Sequence, residues 1–173
     1  MKNIVKALTV ALLVVFSLNN VAAQTKVGHI NLGELVSVMP EAKKANAEID
    51  TMQAQLVREI DRKSNEFRIK YDQYKADMSK GTLLPSIQKS REEELNNLQQ
   101  DLQGFQQRAQ DDLDKRRMEL YQPIIKKAQD AVNVVAKEKG YTYVLDSSAG
   151  TVLFSNEADD LMSAVKTKLN IAK

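Results

Sequence analysis

The chain of 173 residues contains no cysteine and no tryptophan, and only three prolines, six glycines and one histidine. Without cysteine it forms no disulfide, and it lacks the thiol that accepts the lipid of an exported lipoprotein. Aromatic residues make up 5% of the chain, too few for a single compact core of usual density. These absences exclude a disulfide-stapled domain and a lipid-anchored protein, and they favour an extended architecture.

The one long apolar run lies at the N-terminus. Lys2 and Lys6 precede the apolar residues 7–16, and small residues at 21–23 suit a cleavage site. The apolar core is shorter than the ~20 residues that a membrane helix needs. This order predicts a secretory signal peptide at residues 1–23, cleaved near Ala23, and therefore an exported product.

Once this leader is removed, the chain has no excess of charge of either sign. The leader carries two lysines and no acidic residue, so 23 basic and 23 acidic side chains remain of the 25 and 23 in the whole chain. A general nucleic-acid binder is expected to have a basic excess. The neutral mature chain therefore argues against nucleic-acid binding through a basic surface.

What is present is a long helical pattern. Residues 40–80 contain no glycine and no internal proline, and their apolar residues recur mostly every three or four positions, as in a coiled-coil seam. Gly81 ends this helix and Pro85 begins a second one that continues to about Lys139. Pro123 should kink the second helix, because proline removes a backbone hydrogen bond.

The two seams predict that the helices pair with each other as an antiparallel hairpin. Phe67 and Leu98 are equidistant from the loop between the helices, and so are the other apolar pairs of the seam. Lys63 opposite Leu102 is a mismatch in this register. Intermolecular pairing of two long helices is the alternative, and the short connection favours the hairpin.

The remaining residues predict a small root domain. Residues 27–32 are typical of a strand, residues 33–39 of a short helix, and residues 140–155 of a β-hairpin around the turn at 147–150. A terminal helix follows, with Leu161, Val165 and Leu169 on one face. Three short strands leave two open edges, and open edges invite pairing with another chain.

The predicted fold class is therefore α+β and mostly α. A long antiparallel helical hairpin, the coiled-coil arm of residues 40–123 with its tip near 80–86, stands on a three-stranded β root domain that oligomerises. The root contains residues 24–39 and 124–173. Apolar strand residues are the candidates for contacts between copies: Val27, Ile30, Leu32, Tyr143, Val144, Leu145, Val152 and Phe154.

No set of residues predicts catalysis, a metal site or a cofactor site. His29 is the only histidine and lies in a predicted strand, where a packed or exposed role is the usual one. The acidic runs at 92–94 and 111–112 have basic neighbours on a helix, which is typical of a solvated face. We therefore expect a protein that is not an enzyme and that needs no cofactor or metal.

Both ends of the chain resemble a known family. The entry "KVGHINLGELVSVMPEAKKANAEI" and the exit "GYTYVLDSSAGTVLFSNEADDLMSAVKTKL" flank a long charged helical hairpin, and this order is similar to that of the OmpH/Skp periplasmic chaperones. The resemblance implies a homotrimer with a central barrel of strands. Its arms would enclose unfolded outer-membrane proteins in the periplasm and prevent their aggregation without ATP. Well-known members are strongly basic, whereas this mature chain is neutral.

The arm tip is the candidate client-binding site. Six basic and two acidic residues lie between 68 and 91, a local charge of +4. A tip that contacts clients or a membrane surface and an ordinary solvated turn both remain open. The candidate residues of the tip are Tyr74, Lys75, Met78, Lys80, Leu83, Leu84, Lys89 and Arg91.

The alternative to a chaperone is a structural coiled-coil spacer or scaffold of the cell envelope.

Overall fold

The structure is a computed structural model that describes residues 25–150 and 152–171. The predicted signal peptide at residues 1–23 lies outside the described residues. The predicted class, mostly helical with a small sheet, is confirmed. In chain order the elements are β1 (Val27–Ile30), α1 (Leu32–Val38), α2 (Pro40–Ser79), α3 (Pro85–Glu138), β2 (Tyr143–Asp146), a 3-10 turn (Glu157–Asp159) and α4 (Met162–Lys168).

Contacts within the chain divide it into two compact units. The β unit contains the described residues of Met1–Leu32 and Ala131–Lys173, and the helical unit is Gly33–Asp130. Our division into a root and an arm at residues 39/40 and 123/124 stays a prediction. Pro123 lies inside α3, and the helix continues through it.

The two long helices begin and end where the sequence predicts. Pro40 is in the first turn of α2, where its missing N–H has no helical partner to lose. Gly81 follows the end of α2 with a φ of 67°, a left-handed conformation that glycine adopts without strain. Pro85 then begins α3.

The two helices run antiparallel, and ion pairs between them show the register. In each pair, the residue on α2 and the residue on α3 are separated from the loop by nearly the same number of residues. The predicted register of the helical hairpin is therefore confirmed. From the loop outward, the pairs are Asp77 with Arg91, Lys70 with Glu94, Lys63 with Asp101, Glu48 with Arg116 and Glu41 with Lys127.

The predicted mismatch at Lys63 has a local solution. The Lys63 side chain is only 20% exposed, and its ammonium lies 2.6 Å from a carboxylate oxygen of Asp101 and 5.5 Å from the centre of the Phe105 ring. The hydrogen bond from Lys63 lowers the pKa of Asp101. A charge thus occupies the apolar seam because a carboxylate and a ring face both stabilise it.

Burial within the helical unit is greatest far from the loop. Ala42, Ala45 and Ile49 on α2, like Ala109 and Leu113 on α3, are at most 9% exposed. Seam residues closer to the loop are half-buried or, like Tyr71, Met78 and Ile87, exposed. Two helices alone cover one stripe of each other, so most of the surface of this hairpin remains open to solvent.

Gly104 weakens the middle of α3, and no steric constraint requires glycine at this position. A Cβ at this position would meet only the flexible guanidinium of Arg108, at 3.1 Å. Glycine inside a helix costs about 1 kcal/mol relative to alanine. We expect Gly104→Ala to raise the free energy of unfolding by about 0.5–1 kcal/mol, measured by urea unfolding at fixed protein concentration. An unchanged or lower stability would contradict this account of Gly104.

The β unit contains a two-stranded parallel sheet. β1 pairs with β2 in a register that places Val27 opposite Tyr143 and Ile30 opposite Asp146. A parallel pair needs a long crossover connection, and here this connection contains the whole helical unit. An isolated parallel bridge joins His29 to Asp160 on the chain after the sheet.

The predicted β-hairpin, and with it the third strand, is wrong. β2 ends at Asp146, whose carboxylate accepts hydrogen bonds from the backbone N–H of Ser148, at 2.9 Å, and of Leu32, at 3.1 Å. These bonds turn the chain out of the sheet. The described residues 152–155, including Val152 and Phe154, form a loop rather than a strand.

The core of the β unit is small and apolar. Ile30 on β1 is 2% exposed, and Leu161 and Val165 near and on α4 are at most 1% exposed. Asp160 accepts a hydrogen bond from the backbone N–H of Met162, the first residue of α4, at 2.7 Å. Asn156 caps the preceding 3-10 turn.

Candidate functional site

The basic residues at the tip of the helical unit are largely paired. Asp77 accepts hydrogen bonds from Lys80 at 3.2 Å and from Arg91 at 3.0 Å, so one carboxylate bridges the loop. Lys89 approaches Glu93 at 4.0 Å. The predicted local charge of +4 is balanced in part by the glutamates at 92–94, which follow directly on α3.

Tyr74 and Lys75 are also engaged in local contacts. The Tyr74 hydroxyl donates a hydrogen bond to Glu92 at 2.6 Å, which lowers the pKa of Glu92 and raises that of Tyr74. The Lys75 ammonium lies 5.7 Å from the centre of the Tyr71 ring. Most charges of the tip are therefore paired, and the Lys75 ammonium lies near the face of an aromatic ring.

Apolar side chains at the tip remain open to solvent. Leu84 is 62% exposed and Met78 is 41% exposed, while Leu83 is half-buried. Ile87, which the sequence places in the seam, is 43% exposed. The tip thus offers an apolar surface of a few side chains framed by paired charges.

A groove that the sequence did not predict lies on the helical unit, in the part of α2 and α3 that is far from the loop between them. It has a volume of about 870 Å³ and is lined on α2 by Ile49 and Gln53 and on α3 by Met118, Tyr121 and Ile125, among others. Met118 is 65% exposed and Ile125 is 38% exposed. Their seven-residue spacing, off the predicted seam, was the signal that could have revealed this groove.

The β unit exposes the apolar side chains of β2 and of the loop after it. Tyr143 is 61%, Leu145 is 48% and Phe154 is 91% exposed. Leu153, which the sequence analysis did not select, is 96% exposed. Such a concentration of exposed apolar side chains in a small unit is typical of a surface that another chain covers.

The other predicted oligomerisation residues differ in burial. Val27 is 42% exposed, and Leu32, Val144 and Val152 are half-buried. Ile30 is already buried within its own chain, at 2% exposure. The exposed apolar surface of the β unit therefore lies mainly on β2 and on the loop that follows it.

The described part of the chain contains no group of three His, Asp or Glu side chains that could hold a metal ion. Nε2 of His29 lies 3.1 Å from the backbone carbonyl oxygen of Asn156, so this histidine joins β1 to the loop before the 3-10 turn. No helix among the described residues is both long and apolar enough to cross a membrane.

Comparison with known proteins agrees with the fold described above. The family model "OmpH: Outer membrane protein (OmpH-like)" matches residues 26–169. Two relatives named chaperone protein Skp, from Photorhabdus laumondii and Photorhabdus luminescens, are each 25% identical over 165 residues, which covers 95% of this chain and 97% of theirs.

A solved structure shares the fold. It is a candidate outer membrane chaperone (OmpH-like) from Caulobacter crescentus CB15, with a TM-score of 0.71 and 18% sequence identity, covering 86% of this chain and 85% of that one. The resemblance noted in the sequence is confirmed by the family match, which extends from β1 through α4. The chain therefore belongs to the OmpH-like family of outer membrane proteins.

Proposed function

We propose that this protein is a periplasmic chaperone that holds unfolded outer-membrane proteins and prevents their aggregation without ATP. The observation that carries the proposal is the match of the OmpH-like family across both units, residues 26–169. The two Photorhabdus relatives are named as chaperones. The open helical hairpin supports the proposal, because it exposes far more surface than its own seam requires.

We further propose that the protein acts as a homotrimer joined through its β units. The exposed Tyr143, Leu145, Leu153 and Phe154 support this assembly. Among the described strands, β2 pairs only with β1, and a free strand edge beside exposed apolar side chains favours association with further copies. The number three comes from the family resemblance.

The proposed location is the periplasm. It depends on the signal peptide predicted at residues 1–23. N-terminal sequencing of the exported protein should find Gln24 or a neighbouring residue as the first one. Recovery of intact Met1 from exported material would contradict this location.

Native mass spectrometry tests the proposed function. The protein is mixed with a urea-unfolded porin or with the same porin in its folded state. We expect a complex of one trimer with one unfolded porin, and no complex with the folded porin. A structural spacer that binds folded partners would give no complex with the unfolded chain, and that result would overturn the proposal.

The two leucines of the loop at the tip carry a separate prediction. Leu83→Ser with Leu84→Ser should weaken the capture of an unfolded porin several-fold, because apolar contacts are removed. Folding should change by about 0.5 kcal/mol, since both residues lie in the loop between the long helices and neither is buried. Fluorescence anisotropy of a labelled porin measures the affinity.

The polar neighbours of these leucines provide the control. Thr82→Ala in the loop with Ser86→Ala in the first turn of α3 changes the same region without removing apolar surface, and it should leave the affinity unchanged. If the leucine variant binds as well as the unsubstituted protein, the tip is an ordinary solvated turn and capture occurs elsewhere on the protein.

A further inference from the structure

α3 carries a second periodic stripe besides the seam that packs against α2. Its positions are separated by three or four residues from Gln100 to Gln129, so they share one side of the helix. All of them are exposed. Met118, Ile125 and Asp114 occupy three of these positions, and glutamine occupies the others: Gln100, Gln103, Gln107, Gln110, Gln122 and Gln129. We call this set the amide stripe.

The amide stripe is almost without charge over a length of about 43 Å, at 1.5 Å per helical residue. Its single ionisable residue, Asp114, is already engaged, since it accepts a hydrogen bond from Gln110 at 2.9 Å and forms an ion pair with Arg117 at 3.4 Å. The opposite helix differs. On α2, Arg62 pairs with both Glu59 and Glu66, which makes that surface charged.

The glutamines at the tip-side end of the stripe are available for new hydrogen bonds. Within the described ranges, Gln100 and Gln103 have no hydrogen-bond partner, whereas Gln107 donates to Asp111 at 3.0 Å. A primary amide offers two donors and one acceptor group. These are the groups that complement the N–H and C=O of a polypeptide backbone that has no secondary structure of its own.

The other end of the stripe opens into the apolar groove. Met118 and Ile125 belong to both, and Ile49 and Tyr121 lie in the same groove. Methionine is flexible and polarisable, so it adapts to apolar side chains of different shapes. One surface thus combines amides that suit a backbone with a groove of about 870 Å³ that suits apolar side chains.

We propose that the amide stripe and its groove are the docking surface for an extended, unfolded polypeptide. The inference rests on the proposed function and names the surface and the chemistry that hold the client. Backbone groups of the client pair with the glutamines, and its apolar side chains enter the groove between Ile49, Met118 and Ile125.

The charges on this surface favour an unfolded polypeptide over other occupants. A nucleic acid or an anionic membrane would require a row of free cations. The stripe contains no basic residue, and the two cations that line the groove, Arg117 and Lys126, are paired with Asp114 and Asp130. A second copy docking through its charged α2 surface would find no counter-charges. An unfolded backbone is neutral and rich in donors and acceptors. Each hydrogen bond from a glutamine amide competes with water and contributes little, so binding is diffuse and tolerant of sequence.

The experiment compares matched variants of the full-length assembled protein. Met118→Ser removes the exposed apolar centre of the groove, and Ile69→Ser is its control, because Ile69 is similarly exposed, at 54%, on α2. Gln100→Ala with Gln103→Ala removes two free amides while alanine preserves the helix. Gln55→Ala with Gln73→Ala removes two exposed amides from α2. The probe is a labelled, urea-unfolded porin, measured by fluorescence anisotropy at low and high salt.

We expect Met118→Ser to weaken binding about tenfold and the α3 glutamine variant several-fold, with both α2 controls unchanged. The salt dependence of binding should be the same in each variant as in the unsubstituted protein, because no ion pair is removed. Unchanged affinity in both α3 variants, or an equal loss in the controls, overturns the inference alone. A changed oligomeric mass in the α3 variants also overturns it, since the stripe then contacts another copy. If the unsubstituted protein binds no porin, the proposed function itself fails.

Discussion

Phe154→Asp is expected to weaken self-association about a thousandfold and to convert the protein into monomers at micromolar concentration. Phe154 is 91% exposed in the single chain, so the substitution costs the fold of that chain little. In the proposed trimer the same side chain is covered by another copy. An unpaired carboxylate buried there costs several kcal/mol, and about 4 kcal/mol corresponds to a thousandfold change in affinity.

Analytical ultracentrifugation at several protein concentrations measures this effect, with far-UV circular dichroism to show that the helices are retained. Ile69→Asp is the control, because it places the same charge at an exposed apolar position of α2, and it should remain a trimer. A Phe154→Asp protein that stays trimeric would show that the loop after β2 is not part of the interface. A monomeric unsubstituted protein would contradict the shared β body itself.

Gly28→Ala should destabilise the β unit by about 2 kcal/mol. A Cβ at Gly28 would lie 2.5 Å from Cδ1 of Leu161 and 3.0 Å from two ring carbons of Tyr141. Leu161 is 1% exposed, so its side chain can shift only within the core. Overpacking of a filled core typically costs 1–3 kcal/mol. Position 28 therefore requires glycine for steric reasons.

Urea unfolding followed by circular dichroism, at one protein concentration, measures this loss. Gly104→Ala serves as the matched control, since the same substitution on α3, where a Cβ meets only the flexible guanidinium of Arg108, should stabilise the protein. Opposite signs for the two glycines are the expected outcome. Equal or reversed signs would show that the contacts around Gly28 are not those described above.

The long helices were predictable from sequence because their signals are local and repeated. Pro40, Gly81 and Pro85 mark the helix limits through backbone chemistry alone. The register followed from the symmetry of two apolar seams about a short loop. Even the mismatch at Lys63 was visible, although its partner Asp101 lies one position away from the residue that the alignment placed opposite it.

The topology of the strands was not predictable in the same way. A short apolar run such as Tyr143–Asp146 forms a strand in either topology, and its partner depends on distant residues. Here the partner is β1, more than a hundred residues earlier in the chain. The hydrogen bond from the backbone N–H of Leu32 to the Asp146 side chain, which helps to end β2, depends on a contact that no local pattern contains.

The charge of the tip and the groove illustrate a further limit. The sequence window from 68 to 91 gave a basic tip, but Lys70 and Lys89 pair with glutamates just beyond it. Local counting of charges does not reveal partners on a neighbouring helix. Likewise, Met118 and Ile125 line a groove only because α2 brings Ile49 to the same place.

The suppression of aggregation tests the central claim most directly. A urea-unfolded porin is diluted into buffer without ATP, with and without an equimolar amount of trimer, and light scattering is followed over time. The account predicts that scattering stays near the level of buffer alone and that the porin remains competent to fold into added lipid vesicles. Scattering that rises as fast with the protein as without it would contradict the assignment as a holdase chaperone.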